Sequence, residues 1–128
     1  MKKEVKVWKV LRKELRTSVS NLDSLSLYYP VNEFIKPKVG KIFCFKDEKD
    51  AKNFQNYDRK YWSVHESLAI NPKPTDKMAS LWTPSWWENK LAARNNDRTV
   101  KIFWNKHLKY SDITPKGSYI CDELKCLE

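Results

Sequence analysis

Apolar positions recur with a period of two along several stretches of the chain, and this alternation predicts strands. The run VKVWKVL, residues 5–11, has two apolar faces and favours a first strand, although the helix formers that follow it leave a helix as the alternative. Residues 61–70 also alternate and predict a half-buried strand with one charged residue, Glu66, on its apolar face. Residues 100–104 predict a further strand, and a final strand is expected near 118–122.

Two helices are expected, and each is signalled by its first residues. A strand over 41–46 leads with almost no loop into a helix over 48–55. Asp47 is a favoured N-cap residue there, and the acidic side chains of the first turn complement the positive end of a helix. Thr83 is expected to cap a second helix, which has a proline at its first position and runs to about Arg94.

The order of these elements predicts a single α+β domain over residues 1–128. We expect a mainly antiparallel sheet of about five strands, packed by the two helices, because only two connections are long enough to be crossover helices. The stretches 17–24 and 71–77 are rich in small polar residues or proline and predict loops. A chain of 128 residues has room for one hydrophobic core.

The net charge of +9 is concentrated in two segments of the sequence. The first basic tract, residues 1–16, carries seven Lys/Arg against two Glu, and the second, residues 86–109, carries six against one Glu and one Asp. Clustered positive charge mixed with large aromatic residues attracts polyanions whose bases can stack. The candidate polyanion-binding residues are cations of these tracts: Lys9, Arg12, Lys13, Arg16, Lys90, Arg94, Arg98, Lys101, Lys106 and Lys109.

The two basic tracts have other interpretations. A charged segment is often a solvated surface, and it also suits an acidic protein partner. Polyanion binding is favoured if the two tracts lie side by side in the fold, because their fields would then add. The sequence therefore predicts a non-enzymatic protein that binds nucleic acid or a nucleotide-like anion. Docking on an acidic protein surface is the alternative.

Trp82 and Trp86 are the tryptophans expected to lie exposed beside these cations. Trp86 and Trp87 are about 100° apart around the second helix, so when Trp87 faces the core, Trp86 lies outward beside Lys90. An exposed Trp beside a Lys suits stacking on a base, and it equally suits an anchor in a protein interface. Trp62 falls on the apolar phase of its strand and is expected in the core.

Few residues of the chain suggest catalysis. The two histidines, His65 and His107, could with a lysine cleave RNA by general acid–base chemistry without a metal, so a small metal-independent RNase is the third hypothesis. No sequence motif for a metal, a serine nucleophile or a glycine-rich phosphate loop occurs in the chain. We therefore assign no catalytic or metal-binding residue and expect no cofactor.

The cysteines and the apolar stretches predict the cellular compartment. Cys44, Cys121 and Cys126 are odd in number and match no zinc or disulfide spacing, so we expect buried, reduced thiols in a cytosolic protein. No stretch approaches the roughly 18 apolar residues that a membrane span needs, and the charged N-terminal segment does not fit a signal peptide. A cytoplasmic location without a membrane partner is therefore predicted.

One further pattern covers roughly the first 55 residues. The opening KVWKVLRK is followed by Tyr29, Glu33, Phe34, Pro37, Gly40, Phe43, Phe45, Ala51 and Phe54. With this pattern the chain resembles small uncharacterised phage and prophage proteins. The resemblance implies a phage accessory gene that acts inside a bacterial cell, where compact phage proteins often bind and block a host or defence component, as anti-CRISPR proteins do. It carries over no activity and no functional residue.

Overall fold

The computed structural model describes residues 3–19, 27–37, 40–75 and 116–128. The elements in chain order are β1 (Glu4–Arg12), β2 (Thr17–Ser18), β3 (Phe34–Ile35), β4 (Ile42–Phe45), α1 (Glu48–Gln55), a 3₁₀ turn (Asn56–Asp58), β5 (Trp62–Ile70), β6 (Lys73–Pro74), β7 (Ser118–Cys121) and β8 (Glu123–Cys126). The described residues thus form a mostly antiparallel sheet with one α-helix, which confirms the α+β character of the fold.

The antiparallel pair of β1 and β5 forms the centre of the sheet. Its register runs without interruption from Glu4 opposite Ile70 to Arg12 opposite Trp62. Because β5 occupies one edge of β1 over its whole length, β4 and β2 share the other edge, β4 at Trp8 and β2 at the last two residues of β1. The strand order is β3-β8-β5-β1-β4-β7-β6, with β2 beside β1. The first strand is therefore a strand as predicted, and the helix alternative is wrong.

Both flanks of the sheet meet on the C-terminal stretch 118–126. Asp122 alone separates β7 from β8, and β7 pairs with β4 while β8 pairs with β5. The sheet therefore curls, with one face turned inward. The residues on that face pack into the main core. Its buried members are Val7, Leu11, Tyr29, Ile42, Cys44, Ala69, Cys121, Leu124 and Cys126. All three cysteines are buried, and none forms a disulfide bond.

Helix α1 packs on the outer face of the sheet through an aromatic cluster. The ring of Phe54 lies with its centroid 5.3 Å from that of Phe45 and 5.2 Å from that of Trp62. Ala51 and Phe54, three residues apart on one helix face, are both buried. The helix spans the predicted residues, and Trp62 lies in a core as expected. Asp47 is at the N-cap position, but its side chain makes no cap hydrogen bond.

Two features of the predicted fold need correction. The described residues form eight strands rather than five, because β2, β3 and β6 have two residues each, too few for a period of two to be visible. Strand β5 is covered on both faces rather than one, since Ser67 and Ala69 are buried in the main core. The described residues contain one α-helix; the stretches 83–94 and 100–104, predicted as helix and strand, lie outside them and stay predictions.

Candidate functional site

The alternation of β1 divides the first basic tract between two faces of the sheet. Lys6 lies on the outer face, where its Nζ is 3.0 Å from Oε1 of Glu66. Lys9 lies on the inner face and is only 3% exposed. Its Nζ donates a hydrogen bond to the carbonyl oxygen of Phe43 at 2.7 Å and lies 5.4 Å from the centroid of the Tyr29 ring. Lys9 therefore offers no surface to a large polyanion.

Arg16, at the end of the turn that follows β1, is half-buried and makes contacts within the protein. Its backbone is left-handed, with a φ of 50°, and its Nε donates to the carbonyl oxygen of Tyr29 at 2.9 Å. Its Nη2 donates to the main-chain oxygen of Glu128 at 2.9 Å, which ties the turn to the C-terminal stretch. These two hydrogen bonds engage the guanidinium of Arg16 within the protein, so we assign Arg16 a structural role.

Two other predicted polyanion-binding residues of the first basic tract lie at one end of the central strands. They are Arg12 and Lys13. The amide of Lys13 donates to the carbonyl oxygen of Tyr61 at 2.6 Å, and the amide of Tyr61 donates to that of Asp58 at 3.0 Å. These bonds place the turn after β1 against the turn before β5. We name the surface formed by the side chains of these two turns the basic end, and its residues are Arg12, Lys13, Tyr57, Arg59, Lys60 and Tyr61.

The two tyrosines of the basic end are exposed aromatic rings in defined positions. Tyr57 is 68% and Tyr61 56% exposed. The ring of Tyr57 packs edge-on against Phe54, with 5.9 Å between centroids, so the aromatic cluster under α1 anchors it from below. The Nζ of Lys60 lies 5.4 Å from the centroid of the Tyr61 ring, a cation–π distance. The basic end therefore combines large aromatic surface with positive charge.

The charges of the basic end are mostly accessible to solvent. Lys13, Arg59 and Lys60 are exposed and Arg12 is half-buried. Within the same two turns the acidic residues are Glu14 and Asp58, so four cations stand against two carboxylates. The excess positive charge is modest, but it lies in the same two turns as exposed rings, and single-stranded nucleic acids bind such a combination.

His65 lies on the inner face of β5 and is hydrogen-bonded through both ring nitrogens. Its Nδ1 is 2.9 Å from the main-chain oxygen of Glu128, and its Nε2 is 2.6 Å from Oγ of Ser63. Because a main-chain oxygen only accepts, Nδ1 carries the proton and Nε2 of the neutral ring accepts from the serine hydroxyl. Burial lowers the pKa of His65, and the charge of Arg16 adds to this effect.

These contacts give His65 a structural role, because they attach β5 to the main chain at Glu128. A general acid or base needs a ring nitrogen directed at substrate, and both nitrogens are already engaged within the protein. Its proposed partner in RNA cleavage, His107, lies outside the described residues. The nearby thiol of Cys126 is not an activated nucleophile, because burial raises its pKa. The RNase hypothesis therefore stays a prediction that the contacts of the described residues do not support.

The remaining predicted site residues lie outside the described residues. They are Lys90, Arg94, Arg98, Lys101, Lys106, Lys109, Trp82 and Trp86. The adjacency of the two basic tracts, and the stacking role of the tryptophans, thus stay predictions. In the described part of the chain no group of three or more His, Cys, Asp or Glu side chains is arranged to hold a metal ion.

Sequence reasoning missed Tyr57, Arg59, Lys60 and Tyr61. They lie outside both tracts of high net charge, because Asp58 partly offsets the two cations. The pentapeptide YDRKY, residues 57–61, was the available signal: two aromatic and two basic residues in a turn between a helix and a strand.

No family model, no curated protein and no solved structure matches this chain. Among the described residues, no helix combines the length and the apolar character that crossing a bilayer requires. The interpretation of the site therefore depends on its own chemistry.

Proposed function

We propose that this protein binds nucleic acid or a nucleotide-like anion through the basic end. The carrying observation is the hydrogen bond between the amide of Lys13 and the carbonyl of Tyr61, which joins the cations of one turn to the rings and cations of another. Phosphates would lie against Lys13, Arg59 and Lys60, with Arg12 at the margin. The second basic tract, 86–109, would extend this surface if it lies on the same side, as its charge predicts.

The proposal makes binding electrostatic in origin and therefore dependent on salt. Each phosphate that a cation neutralises releases a counterion, so log affinity falls with log salt by about 0.7 per contact for a single strand and 0.9 for a duplex. Four cations at the basic end thus predict a slope of roughly −3 for a single strand before any contribution from residues 86–109. Affinity would be measurable at low salt and much weaker near physiological salt.

The test is a titration of labelled oligonucleotides at two salt concentrations with charge-reversal variants. Lys13→Glu and Lys60→Glu should weaken binding and flatten the salt slope, because each replaces a cation of the basic end. Lys3→Glu is the matched control: it changes net charge equally, but the exposed Lys3 precedes β1 and so lies about 30 Å from Lys13, at the other end of that strand. Equal losses in all three variants, or no binding at low salt, would overturn the proposal.

A second candidate function is an inhibitor that docks on an acidic protein surface, in keeping with the phage resemblance of the first 55 residues. Exposed Leu15 (62%) and Tyr28 (58%) favour it, because they lie in and beside the turn that follows β1. Arg and Tyr are enriched at the centre of protein interfaces. Pull-down from nuclease-treated bacterial lysate separates the two functions: a partner that survives nuclease and high salt supports protein docking, and loss of every partner contradicts it.

A further inference from the structure

We infer that the ligand of the basic end is single-stranded nucleic acid, with unpaired bases stacked on Tyr57 and Tyr61. This inference rests on the proposed function and names its ligand more closely. It depends on the two rings rather than on the charges, because charge alone attracts duplex and single strand alike.

The rings are exposed, yet their backbone is fixed before any ligand arrives. Tyr61 is tied at both main-chain atoms, its amide to Asp58 and its carbonyl to Lys13. Tyr57 lies in the 3₁₀ turn and rests edge-on against Phe54, which is itself buried. A ring that rests against a buried neighbour and leaves most of its surface exposed gives a base a stacking platform at little cost in conformational entropy.

The chemistry of the side chains along the turn also suits a single strand. Asp58, Arg59 and Lys60 separate Tyr57 from Tyr61, and the amide of Lys13 is hydrogen-bonded to the carbonyl oxygen of Tyr61. A single strand offers both unpaired bases and phosphates, and this turn offers both aromatic rings and cations. In a duplex the faces of the bases are stacked on one another, so the rings would find no partner there.

The test compares a 12-nucleotide oligo-dT with a 12-base-pair duplex, both labelled, by fluorescence anisotropy at low salt. We expect tighter binding of the single strand. Tyr61→Ala and Tyr57→Ala should each weaken oligo-dT binding by about 5- to 150-fold and leave duplex binding nearly unchanged. Tyr61→Phe and Tyr57→Phe keep the ring and should bind oligo-dT like the unmodified protein.

The outcomes separate this inference from the proposed function. If neither oligonucleotide binds, the inference and the proposed function are both overturned. Equal affinity for the two oligonucleotides, with oligo-dT binding unaffected in the alanine variants, overturns the inference and leaves the proposed function in place. Retained duplex binding also reports that a variant is folded, so a loss confined to the single strand is specific. If Tyr57→Ala loses both ligands because it fails to fold, Tyr61→Ala decides, since that side chain is more than half exposed.

Discussion

Gly117 is where the fold should tolerate substitution least, because it meets both a backbone and a steric constraint. Its φ is +79°, a left-handed conformation that an alanine adopts at a cost of about 1–2 kcal/mol. A Cβ at this position would lie 2.7 Å from Cγ and 2.9 Å from Cβ of Asp50. Asp50 is buried in the first turn of α1, so its carboxylate cannot simply swing into solvent. Overpacking of this kind costs about 1–3 kcal/mol.

Gly117→Ala should therefore lower the free energy of unfolding by about 2–5 kcal/mol, a large part of the stability of a domain of this size. Urea unfolding followed by circular dichroism measures it, as a fall of more than about 1 M in the midpoint. Asp50→Ala removes the carboxyl group but keeps Cβ, so part of the clash is relieved and Gly117→Ala should cost less in that background, by more than about 0.5 kcal/mol. A loss below about 1 kcal/mol, or effects of the two substitutions that add within about 0.5 kcal/mol, would refute the steric reasoning.

Three further results are expected. Lys9→Met should leave oligonucleotide affinity unchanged in the anisotropy titration, whereas Lys13→Met weakens it, because the first side chain is buried and the second exposed. The free energy of unfolding should fall as pH drops below about 6.5, the ordinary pKa of histidine, because the lowered pKa of His65 leaves the folded protein with fewer bound protons than the unfolded chain. Urea midpoints at pH 7.5 and 5.5 measure this fall. His65→Asn should reduce the difference between the two midpoints. Arg16→Lys should lower the free energy of unfolding, measured by thermal melting, by about 1–3 kcal/mol. One ammonium group cannot reproduce the two hydrogen bonds of the guanidinium to separate main-chain oxygens.

The longer elements of the fold were predictable because each repeats its pattern often enough to be recognised. Strand β1 and strand β5 have nine residues each, and α1 begins after an Asp and buries two residues three apart. The two-residue strands were not predictable, since they exist only through their partners: β2 pairs with the end of β1, and β6 with β7. The curl of the sheet also depends on pairing between distant stretches. That pairing buries Ser67 beside Cys126 and gives β5 two covered faces.

The candidate site was predictable only in part, because net charge along a sequence does not determine which side chains reach solvent. Successive residues of a strand point to opposite faces, so Lys9 enters the core although it belongs to the same tract as the exposed Lys13. Arg16 follows in the same turn, yet a left-handed backbone and two carbonyl partners turn its guanidinium inward. The tract supplies two cations to the basic end, and the remaining two come from residues 57–61, where a neighbouring Asp masks the charge. The position of a basic surface therefore depends on which turns the sheet brings together. In this chain the hydrogen bond from Lys13 to Tyr61 joins the two turns that form the basic end.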